Sequence, residues 1–324
     1  MSESMKELCV VHLVRAHNGI EPFRRFVESY RVNPGGIEHD LLIVFKGFGQ
    51  PQDTAEYREL LVPFRYATLD ISDEGFDITA YFIAFKRYSE QYRYFCFLNS
   101  YSVILDGDWV RKLHENISKP GVGLVGATGS WQSHKSNAYA WFSRIAAIFI
   151  AAIFRAEIIR LLQRMRDRAS TKMGYSPHKP HKVRSYWKTA IFIIKEVWAN
   201  FCYVIYFDPF PNYHIRSNAF MISGELMKTL KCPALKAKLD AYRFESGRNG
   251  LTRQILGMGK RVIVVGKDGI GYEKEDWHKS RTFWQFEQEN LLVADNQTRD
   301  YQEGCPEKRS LSPYKEPSQH VAAF

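Results

Sequence analysis

An uninterrupted apolar segment that stops on polar residues constrains this chain most. Residues 95–98 are all apolar and strand-forming, and Asn99, Ser100 and Ser102 follow at once. A run without polar alternation is typical of a strand covered on both faces inside an α/β sheet. In open sheets of this kind, ligands bind at the carboxyl ends of central strands. The segment therefore predicts a buried strand with a binding site at its end.

Strand and helix patterns alternate on both sides of this strand. Phe23, Phe26, Val27 and Tyr30 recur at the spacing of one helical face, and Gly259 is a predicted helix C-cap. Such alternation implies a mostly parallel, Rossmann-like α/β sheet with helices on both faces. Further strands are predicted at 8–14, 40–45, 66–71, 121–127, 219–222 and 261–265, and helices at 54–61, 78–90, 109–117 and 251–258.

The alternation breaks between residues 138 and 207. Ten apolar residues, 145–154, stand between Arg144 and Arg155, and a second apolar and aromatic stretch covers 187–207. A membrane-spanning helix needs about 20 apolar residues, so a buried or interfacial helical insertion is predicted. We favour two helices that bind an anionic membrane surface, because basic residues lie between the apolar stretches. These are Arg164, Arg166, Arg168, Lys172, Lys179, Lys182, Arg184 and Lys188.

The predicted organisation has four parts. Residues 1–137 form the first half of the α/β domain, and 138–207 the inserted apolar helical unit. Residues 208–302 form the second half of the α/β domain, and 303–324 a polar, disordered tail.

Composition indicates which classes of partner and which cellular compartment to expect. A net charge of +10 favours an anionic partner, which includes nucleotides, nucleic acids and lipid surfaces. The five cysteines include no C-x-x-C pair, so neither a zinc site nor a disulfide framework is predicted. The first residues lack a secretion signal. We expect a cytoplasmic protein, peripheral at the inner face of the cell membrane.

Four segments in a shared order resemble a known family. They are Arg15-Ala-His-Asn-Gly19, Gly75-Phe-Asp77-Ile, the strand that ends at Asn99, and Glu245 before the helix 251–259. In this order they resemble the GT-A type nucleotide-sugar glycosyltransferases, in particular family 2 and its rhamnan-synthesis branch. The resemblance covers roughly residues 8–130 and 209–270. It implies a GT-A-like fold and transfer of a sugar from a nucleotide-sugar donor to a glycan or lipid-linked acceptor in cell-surface polysaccharide or lipopolysaccharide assembly.

The resemblance and the polar loops together suggest roles for particular residues. Glu245 is the predicted catalytic base of an inverting transfer, although it is also explained as an ordinary helix N-terminal carboxylate. His278 is a predicted acceptor contact; a metal ligand, a diphosphate contact and a simply packed side chain stay open as alternatives. Donor-binding residues are predicted to be Arg15, His17, Asn18, Lys46, Asp70, Asp77, Asn99 and Ser100; acceptor-binding residues are His214, Arg216, Ser217, Asn218 and His278.

The sequence departs from the family at its usual metal site. A D-x-D carboxylate pair usually binds the divalent metal, but Asn99-Ser100 stand in its place here. Asp106-Gly-Asp108 is a literal D-x-D, yet it lies beyond the strand, where Asp108 is explained as a helix N-cap. No metal ligand is therefore predicted, and Mg²⁺ or Mn²⁺ stays open as a cofactor of weak influence.

A second class of function stays open at this point. The missing carboxylate pair and the basic insertion also suit a non-catalytic protein that binds membranes or nucleic acids on a degenerate version of the fold. Nucleic acid is disfavoured, because the basic residues adjoin long apolar stretches and not a groove with interleaved aromatic residues.

Overall fold

The computed structural model describes residues 5–170 and 187–304. The chain divides into two compact units, which are Met1–Gln132 with Pro211–Phe324, and Ser133–Phe210. The expected basic loop was partly wrong, because Arg164, Arg166 and Arg168 lie in the helix His134–Ser170 and Lys188 lies in the helix Trp187–Tyr206. Its other four basic residues, and residues 305–324 of the expected tail, lie outside the described residues.

The strands and helices of the described residues follow in chain order. The strands are β1 Lys6–Arg15, β2 Asp40–Lys46, β3 Tyr66–Ile71, β4 Tyr92–Leu98, β5 Val103–Ile104, β6 Val122–Gly126, β7 Gly129–Ser130, β8 His214–Ile215, β9 Ala219–Ser223, β10 Arg261–Val265, β11 Gly271–Tyr272 and β12 Val293–Ala294. The helices are α1 Glu21–Val32, α2 Ala55–Leu61, α3 Asp77–Tyr88, α4 Trp109–Ile117, α5 His134–Ser170, α6 Trp187–Tyr206, α7 Gly224–Thr229, α8 Lys238–Ser246, α9 Leu251–Gly257 and α10 Asn296–Glu303.

The first unit is built on an eight-stranded sheet in the order β11-β10-β6-β9-β4-β1-β2-β3. β1 pairs in parallel with β2 and β4, β2 with β3, and β6 with β10. β9 and β11 pair antiparallel to their neighbours. The expected fold class, a mostly parallel α/β sheet, is therefore confirmed.

Helices cover both faces of this sheet because its central strands are apolar on both sides. On one face, Phe23 and Phe26 of α1 and Trp109 of α4 join the apolar side chains of β1 and β4 in one core. On the other, the rings of Phe95 and Phe97 pack against α3, with centroids 5.2 Å from Phe85 and 4.9 Å from Tyr81, respectively. The continuous apolar run of β4 is explained by this double burial.

The direction of β9, in the interior of the sheet, departs from simple alternation. It lies between β4 and β6 and runs antiparallel to both, with Ala219 beside Leu98 and Ser223 beside Tyr94. The start of β9 therefore lies at the carboxyl end of β4. As a result, residues 214–218 reach the sheet edge where the site was predicted.

The second unit consists of α5 and α6, which pack on each other. The hydroxyl of Ser133 donates to the carbonyl of Asp208, and the amide of Phe210 donates to the hydroxyl of Ser136 (2.9 Å). The ring of His134 stacks on Tyr203 at 5.0 Å. Within the described residues, no helix combines the length and apolarity needed to cross a membrane.

A buried histidine lies in the core under α1. His12 is completely buried and stacks on Phe26 with ring centroids 3.6 Å apart, and neither ring nitrogen has a hydrogen-bond partner among the described residues. Burial lowers the pKa of His12 from 6.5 to about 3. The folded protein therefore keeps this ring neutral at pH values where the unfolded chain protonates it.

His12 is predicted to make the fold acid-sensitive. Because only the unfolded chain takes up this proton below pH 6.5, stability is full above that pH and falls as pH falls towards 3. The loss amounts to about 2 kcal/mol at pH 5. In urea unfolding at pH 7.5 and pH 5, His12→Leu should lose correspondingly less stability on acidification than wild type. The exposed His278→Leu is the control, and identical pH dependence of wild type and His12→Leu would contradict the prediction.

Candidate functional site

Polar side chains meet at the carboxyl ends of β1, β2 and β4, where the sequence analysis expected a site. The amide of Asn18, in the 3-10 turn after β1, donates to the hydroxyl of Ser100 after β4 (2.7 Å). β1 and β4 are neighbours in the sheet, so this bond crosses the crevice between them. Arg15 is the last residue of β1 and Lys46 is the last residue of β2. The two are register partners in the sheet, so both lie at its carboxyl end.

Arg15 forms an ion pair at the rim of this edge. Its guanidinium donates to the carboxylate of Asp73, with 2.9 Å between Nη2 and Oδ1. Asp73 is half exposed. Exposed pairs contribute only about 0–1 kcal/mol, so an incoming anion can compete for Arg15 at small cost.

Lys46 has a different place from the one predicted. It is completely buried, and its Nζ donates to the carbonyls of Glu74 (2.6 Å), Gly75 (3.0 Å) and Phe76 (3.5 Å). Burial and, to a lesser degree, Arg15 lower the pKa of Lys46. These bonds fix residues 74–76, the loop that precedes Asp77.

Asp77 is the first residue of α3 and lies between charges of both signs. Burial raises its pKa, and the charge of Glu245 raises it further, whereas Arg15 and Lys46 oppose the shift. Asp77 therefore links the loops after β1 and β2 electrostatically with Glu245, which comes from a distant part of the chain.

Asn99 and Ser100 are already committed to protein hydrogen bonds. The Asn99 Oδ1 accepts from the amide of Tyr101 (3.0 Å) and the hydroxyl of Ser102 (3.1 Å), and the Ser100 hydroxyl accepts from Asn18. Neutral oxygens engaged in this way do not suit a hard divalent cation, which prefers carboxylates. Among the described residues, no cluster of three or more His, Cys, Asp and Glu side chains could hold a metal. The residues at the D-x-D position thus do not fit the metal that the family resemblance implies.

Glu245 is fixed at this edge by the segment that leads into β9. Its Oε1 accepts from the backbone amide (2.6 Å) and the hydroxyl (2.8 Å) of Ser217. The carbonyl of Ser217 in turn accepts from the hydroxyl of the buried Tyr81 on α3 (3.2 Å). Both bonds to Glu245 use Oε1, and Oε2 accepts no hydrogen bond from the described residues.

The helical context of Glu245 differs from the sequence expectation. It is the second-last residue of α8, a helix that was not predicted, and not a carboxylate at the start of α9. The negative end of a helix dipole disfavours a carboxylate there. The alternative explanation as a helix N-terminal carboxylate was therefore wrong.

Asn218 and His214 belong to the segment that leads into β9, as Ser217 does. The carbonyl of Asn218 accepts from the amide of Asn99 (3.1 Å), and its Oδ1 accepts from the hydroxyl of Thr128 (2.6 Å). His214 is buried with Nδ1 2.8 Å from the carbonyl of Asn212, so Nδ1 carries the proton. Burial lowers the pKa of His214, against the opposing charge of Glu245, and keeps the ring neutral.

Arg216 is buried beside this segment. Its Nη2 donates to the carboxylate of Asp295 (2.7 Å) and to the side chain of Gln297 (2.9 Å). The guanidinium lies 4.0 Å from the ring centroid of Phe283, and Nη1 has no hydrogen-bond partner among the described residues. Arg216 therefore connects the Ser217 segment with the chain before and after β12.

Three of the predicted site residues have side chains that are exposed to solvent. His17 is exposed in the turn after β1, and Asp70 is exposed on the edge strand β3, 3.9 Å from Arg58. His278 is exposed in the 3-10 turn Lys274–Lys279, where it lowers the pKa of Asp276 less than Lys279 does. The roles proposed for these three residues stay predictions.

The literal D-x-D lies at the other end of the sheet. The amide of Asp108 donates to the carbonyl of Pro34 (2.7 Å), in the loop that precedes the start of β2. Its carboxylate pairs with Arg111, and that of Asp106 pairs with Lys112. Asp108 occupies the N-cap position of α4, but its side chain makes no capping bond.

Several residues of the site were not predicted from the sequence. They reach it only through long-range contacts, so no local pattern indicates them. They are Asp73, Tyr81, Thr128, Phe283, Asp295 and Gln297.

A surface cavity of about 480 Å³ lies elsewhere, at the amino end of β4. Its lining includes Tyr92, Arg93, Ser223 and Lys228, and none of the predicted site residues. Ligands of open α/β sheets bind at the carboxyl ends of strands, so we place the site at the edge that carries Glu245 and Asp77.

Comparisons with known proteins give likeness in structure alone. No family model matches the sequence, and no curated protein matches it significantly. Among solved structures, the chain is similar to "Mannosyltransferase PcManGT from Pyrobaculum calidifontis in complex with GDP-Man and Mn2+", at 10% identity and a TM-score of 0.43. That match covers 86% of this chain and 60% of the mannosyltransferase. The chain thus spans about three fifths of the length of that protein.

Two further structures match smaller parts. One is S. aureus TarS 1–349, at 11% identity and a TM-score of 0.30, covering 37% of this chain and 34% of TarS. The other is GalNAc-T7 with UDP, GalNAc and Mn²⁺, at 15% identity and a TM-score of 0.30, covering 39% and 23%. At identities of 15% or less, the function has to be argued from the site itself.

Lys46→Met is predicted to loosen the loop before Asp77. The methionine keeps the apolar stem, but the carbonyls of Glu74 and Gly75 lose their donor. These carbonyls are only partly buried, so the cost is expected near the lower end of the about 1–3 kcal/mol of an unsatisfied buried acceptor. Urea unfolding and faster amide exchange in residues 72–77 measure the effect. Lys6→Met, which removes an exposed pair with Asp40, is the matched control; unchanged exchange in Lys46→Met would contradict the assignment.

Proposed function

We propose that this chain is a GT-A-like glycosyltransferase that moves a sugar from a nucleotide-sugar donor to a glycan acceptor, with Glu245 as the base. The observation that carries the proposal is the placement of Glu245. Its Oε1 is held by the amide and hydroxyl of Ser217 at the carboxyl edge of the sheet, and Oε2 is left for a ligand. A carboxylate at the unfavourable end of a short helix, fixed by bonds to another segment, suits a functional role better than a structural one.

The reaction would proceed by a single displacement. The acceptor hydroxyl oxygen forms a bond to the anomeric carbon while the bond from that carbon to the donor phosphate breaks. The hydroxyl proton passes to Oε2 of Glu245, and the nucleoside diphosphate leaves with the bonding electron pair. A carboxylate within hydrogen-bond reach of the hydroxyl is the requirement that this step places on the protein.

The donor would bind at the loops after β1, β2 and β3. Arg15 can exchange its exposed partner Asp73 for a phosphate oxygen, and Asn18 and Ser100 offer polar atoms in the crevice between β1 and β4. Because the D-x-D position does not fit a hard cation, we expect donor binding to depend only weakly on Mg²⁺ or Mn²⁺.

The rival is a non-catalytic binding protein on the same sheet. It explains the absence of the D-x-D pair but gives no reason for Glu245 to be positioned by Ser217. Turnover separates the two classes, since a binding protein would leave a labelled nucleotide sugar intact.

Glu245→Gln is predicted to abolish most turnover with donor affinity kept within a few-fold. Glutamine keeps the bond from the Ser217 amide but cannot accept a proton, and general bases contribute roughly 10²–10⁴-fold to rate. Consumption of labelled UDP-, GDP- and dTDP-sugars measures the rate, with the exposed Glu225→Gln as control. A Glu245→Gln rate above about a tenth of wild type would turn the search for a base to His214.

Membrane attachment through the second unit is the other half of the proposal. In α5, the consecutive residues Ile148, Phe149 and Ile150 are each more than half exposed, which leaves apolar groups around most of the helix circumference. In α6, a single exposed stripe runs along the helix at i, i+3, i+4, i+7 and i+11. Its members are Ile194, Val197, Trp198, Phe201 and Ile205.

Charge favours a lipid surface as the occupant of these apolar faces. Arg144, Arg155 and Arg160 of α5 and Lys195 of α6 lie among the apolar residues, and further Lys and Arg follow α5 in the sequence. Each basic residue near an anionic surface contributes about 1 kcal/mol to binding. An interfacial unit of this kind suits a peripheral enzyme at the inner face of the cell membrane with a lipid-linked acceptor.

The double variant Ile194→Glu with Trp198→Glu is predicted to release the protein from membranes. Both residues are about two-thirds exposed, so glutamates there disturb lipid contact without entering a core. Wild type should float with phosphatidylglycerol vesicles in a salt-sensitive manner and ignore neutral ones. Ile270→Glu, an exposed apolar residue of the first unit, is the control. A wild type that stays unbound with all vesicles would contradict the proposal.

A further inference from the structure

The loop between Ser280 and Asn290 has an unusual backbone. Four of its non-glycine residues have positive φ, namely Arg281 (51°), Trp284 (55°), Phe286 (48°) and Gln288 (53°). Bulky residues rarely adopt this left-handed conformation. It persists only where surrounding contacts fix it, and such strain clusters at ligand-binding segments.

Two buried glutamines fix this loop. The Oε1 of Gln285 accepts from the amide of Arg281 (2.8 Å), and its Nε2 donates to the carbonyl of Trp277 (3.1 Å). The Oε1 of Gln288 accepts from the amide of Trp284 (3.1 Å), and its Nε2 donates to the carbonyl of Thr298 (2.9 Å). The loop is therefore held from inside by a satisfied polar frame.

The frame turns aromatic rings towards solvent. Phe286 is 66% exposed, and Trp284 and Tyr301 are half-buried. The rings of Trp284 and Tyr301 stack with centroids 6.0 Å apart and 13° between their planes. The hydroxyl of Tyr301 donates to the carbonyl of Phe286 (3.2 Å), which ties the three residues together. We name Trp284, Phe286 and Tyr301 the aromatic platform.

Direct contacts join the aromatic platform to the candidate site. Phe283 stacks on Trp284 with ring centroids 4.7 Å apart and carries the guanidinium of Arg216 on its ring. Gln297 contacts both sides, since its side chain accepts from Arg216 and its carbonyl accepts from Trp284 Nε1 (3.3 Å). Arg216 precedes Ser217, which holds Glu245.

Sugar rings are the ligand that this surface fits best. The faces of aromatic rings carry negative charge, which attracts the partially positive C–H groups on the face of a pyranose. The guanidinium of Arg281 lies 5.5 Å from the ring centroid of Phe286 and pairs with Glu289 (2.8 Å), so the charge at the rings is balanced, which suits a neutral ligand. Three rings of about 150–250 Å² each, even fully covered, fall short of the roughly 800 Å² that each partner contributes to a specific protein interface.

We infer that the aromatic platform binds the acceptor glycan, one or more sugar rings away from the hydroxyl that is presented to Glu245. The inference rests on the proposed function for the identity of the glycan as an acceptor. The platform adjoins Arg216, whereas the expected donor contacts, Arg15 and Asn18, lie at the loop after β1.

An oligosaccharide array probed with the full-length protein tests the inference, followed by titration of each bound glycan. Phe286→Tyr should bind as wild type does, because it keeps the ring. Trp284→Ala and Phe286→Ala should each weaken binding by about tenfold or more, the usual scale for removal of an aromatic stacking partner. Ile270→Ala, an exposed apolar change elsewhere on the first unit, should have no effect. Failure of wild type to bind any glycan, or equal binding by all variants, overturns the inference.

Donor hydrolysis without acceptor separates this inference from the proposed function. Wild type should hydrolyse labelled nucleotide sugar without acceptor, and in Phe286→Ala the KM for a bound glycan should rise. Hydrolysis without glycan binding would leave the transferase standing and remove the platform. Glycan binding without any donor turnover would leave the aromatic platform standing as a glycan site and remove the transferase. Loss of UDP or GDP affinity in Phe286→Ala would make the rings a nucleobase site and overturn the inference.

Discussion

The antiparallel course of β9 between β4 and β6 is the constraint on which the rest of the site depends. Its pairing of Ala219 with Leu98 fixes the chain just before β9 beside the chain just after β4. The bond from the Asn99 amide to the Asn218 carbonyl extends that pairing by one step. Ser217 is then obliged to lie at the carboxyl edge, and Glu245 is held there through it. A parallel β9 would begin at the opposite end of the strands and separate residues 214–218 and Glu245 from the loops after β1 and β2.

Most cations at this edge already have partners within the protein. Lys46 is enclosed by three carbonyls, and Arg216 by Asp295, Gln297 and Phe283. Arg15 differs, because its partner Asp73 is half exposed and can be exchanged. The buried cations therefore stabilise the shape of the site, while Arg15 is the cation available to an anionic ligand. The proposed diphosphate site rests on this difference between Arg15 and the buried cations.

The mostly parallel sheet was largely predictable, and so was the expectation of a site at its carboxyl end. Uninterrupted apolar strands and helical spacing leave few alternative folds. The direction of β9 was not predictable, since a short apolar strand gives no signal of its polarity. α8 was missed because Lys238–Ser246 lacks a sustained apolar period, although Asp240 at its third position accepts from the amides of Lys236 and Ala237 and is a local start signal. The burial of Lys46 depends on a carbonyl cluster 28–30 residues away. The stretch from Arg281 to Gln288 carries no turn signal such as glycine, so its conformation could not be anticipated.

A crystal structure with bound UDP or GDP, grown in EDTA and again in Mn²⁺, tests the central claim most directly. We expect nucleotide at the carboxyl edge in both crystals, with its diphosphate near Arg15 and the crevice that Asn18 and Ser100 bridge, and with its β-phosphate turned towards Glu245. Nucleotide in the cavity near Tyr92 and Lys228, or bound only through a metal on Asp106 and Asp108, would contradict it.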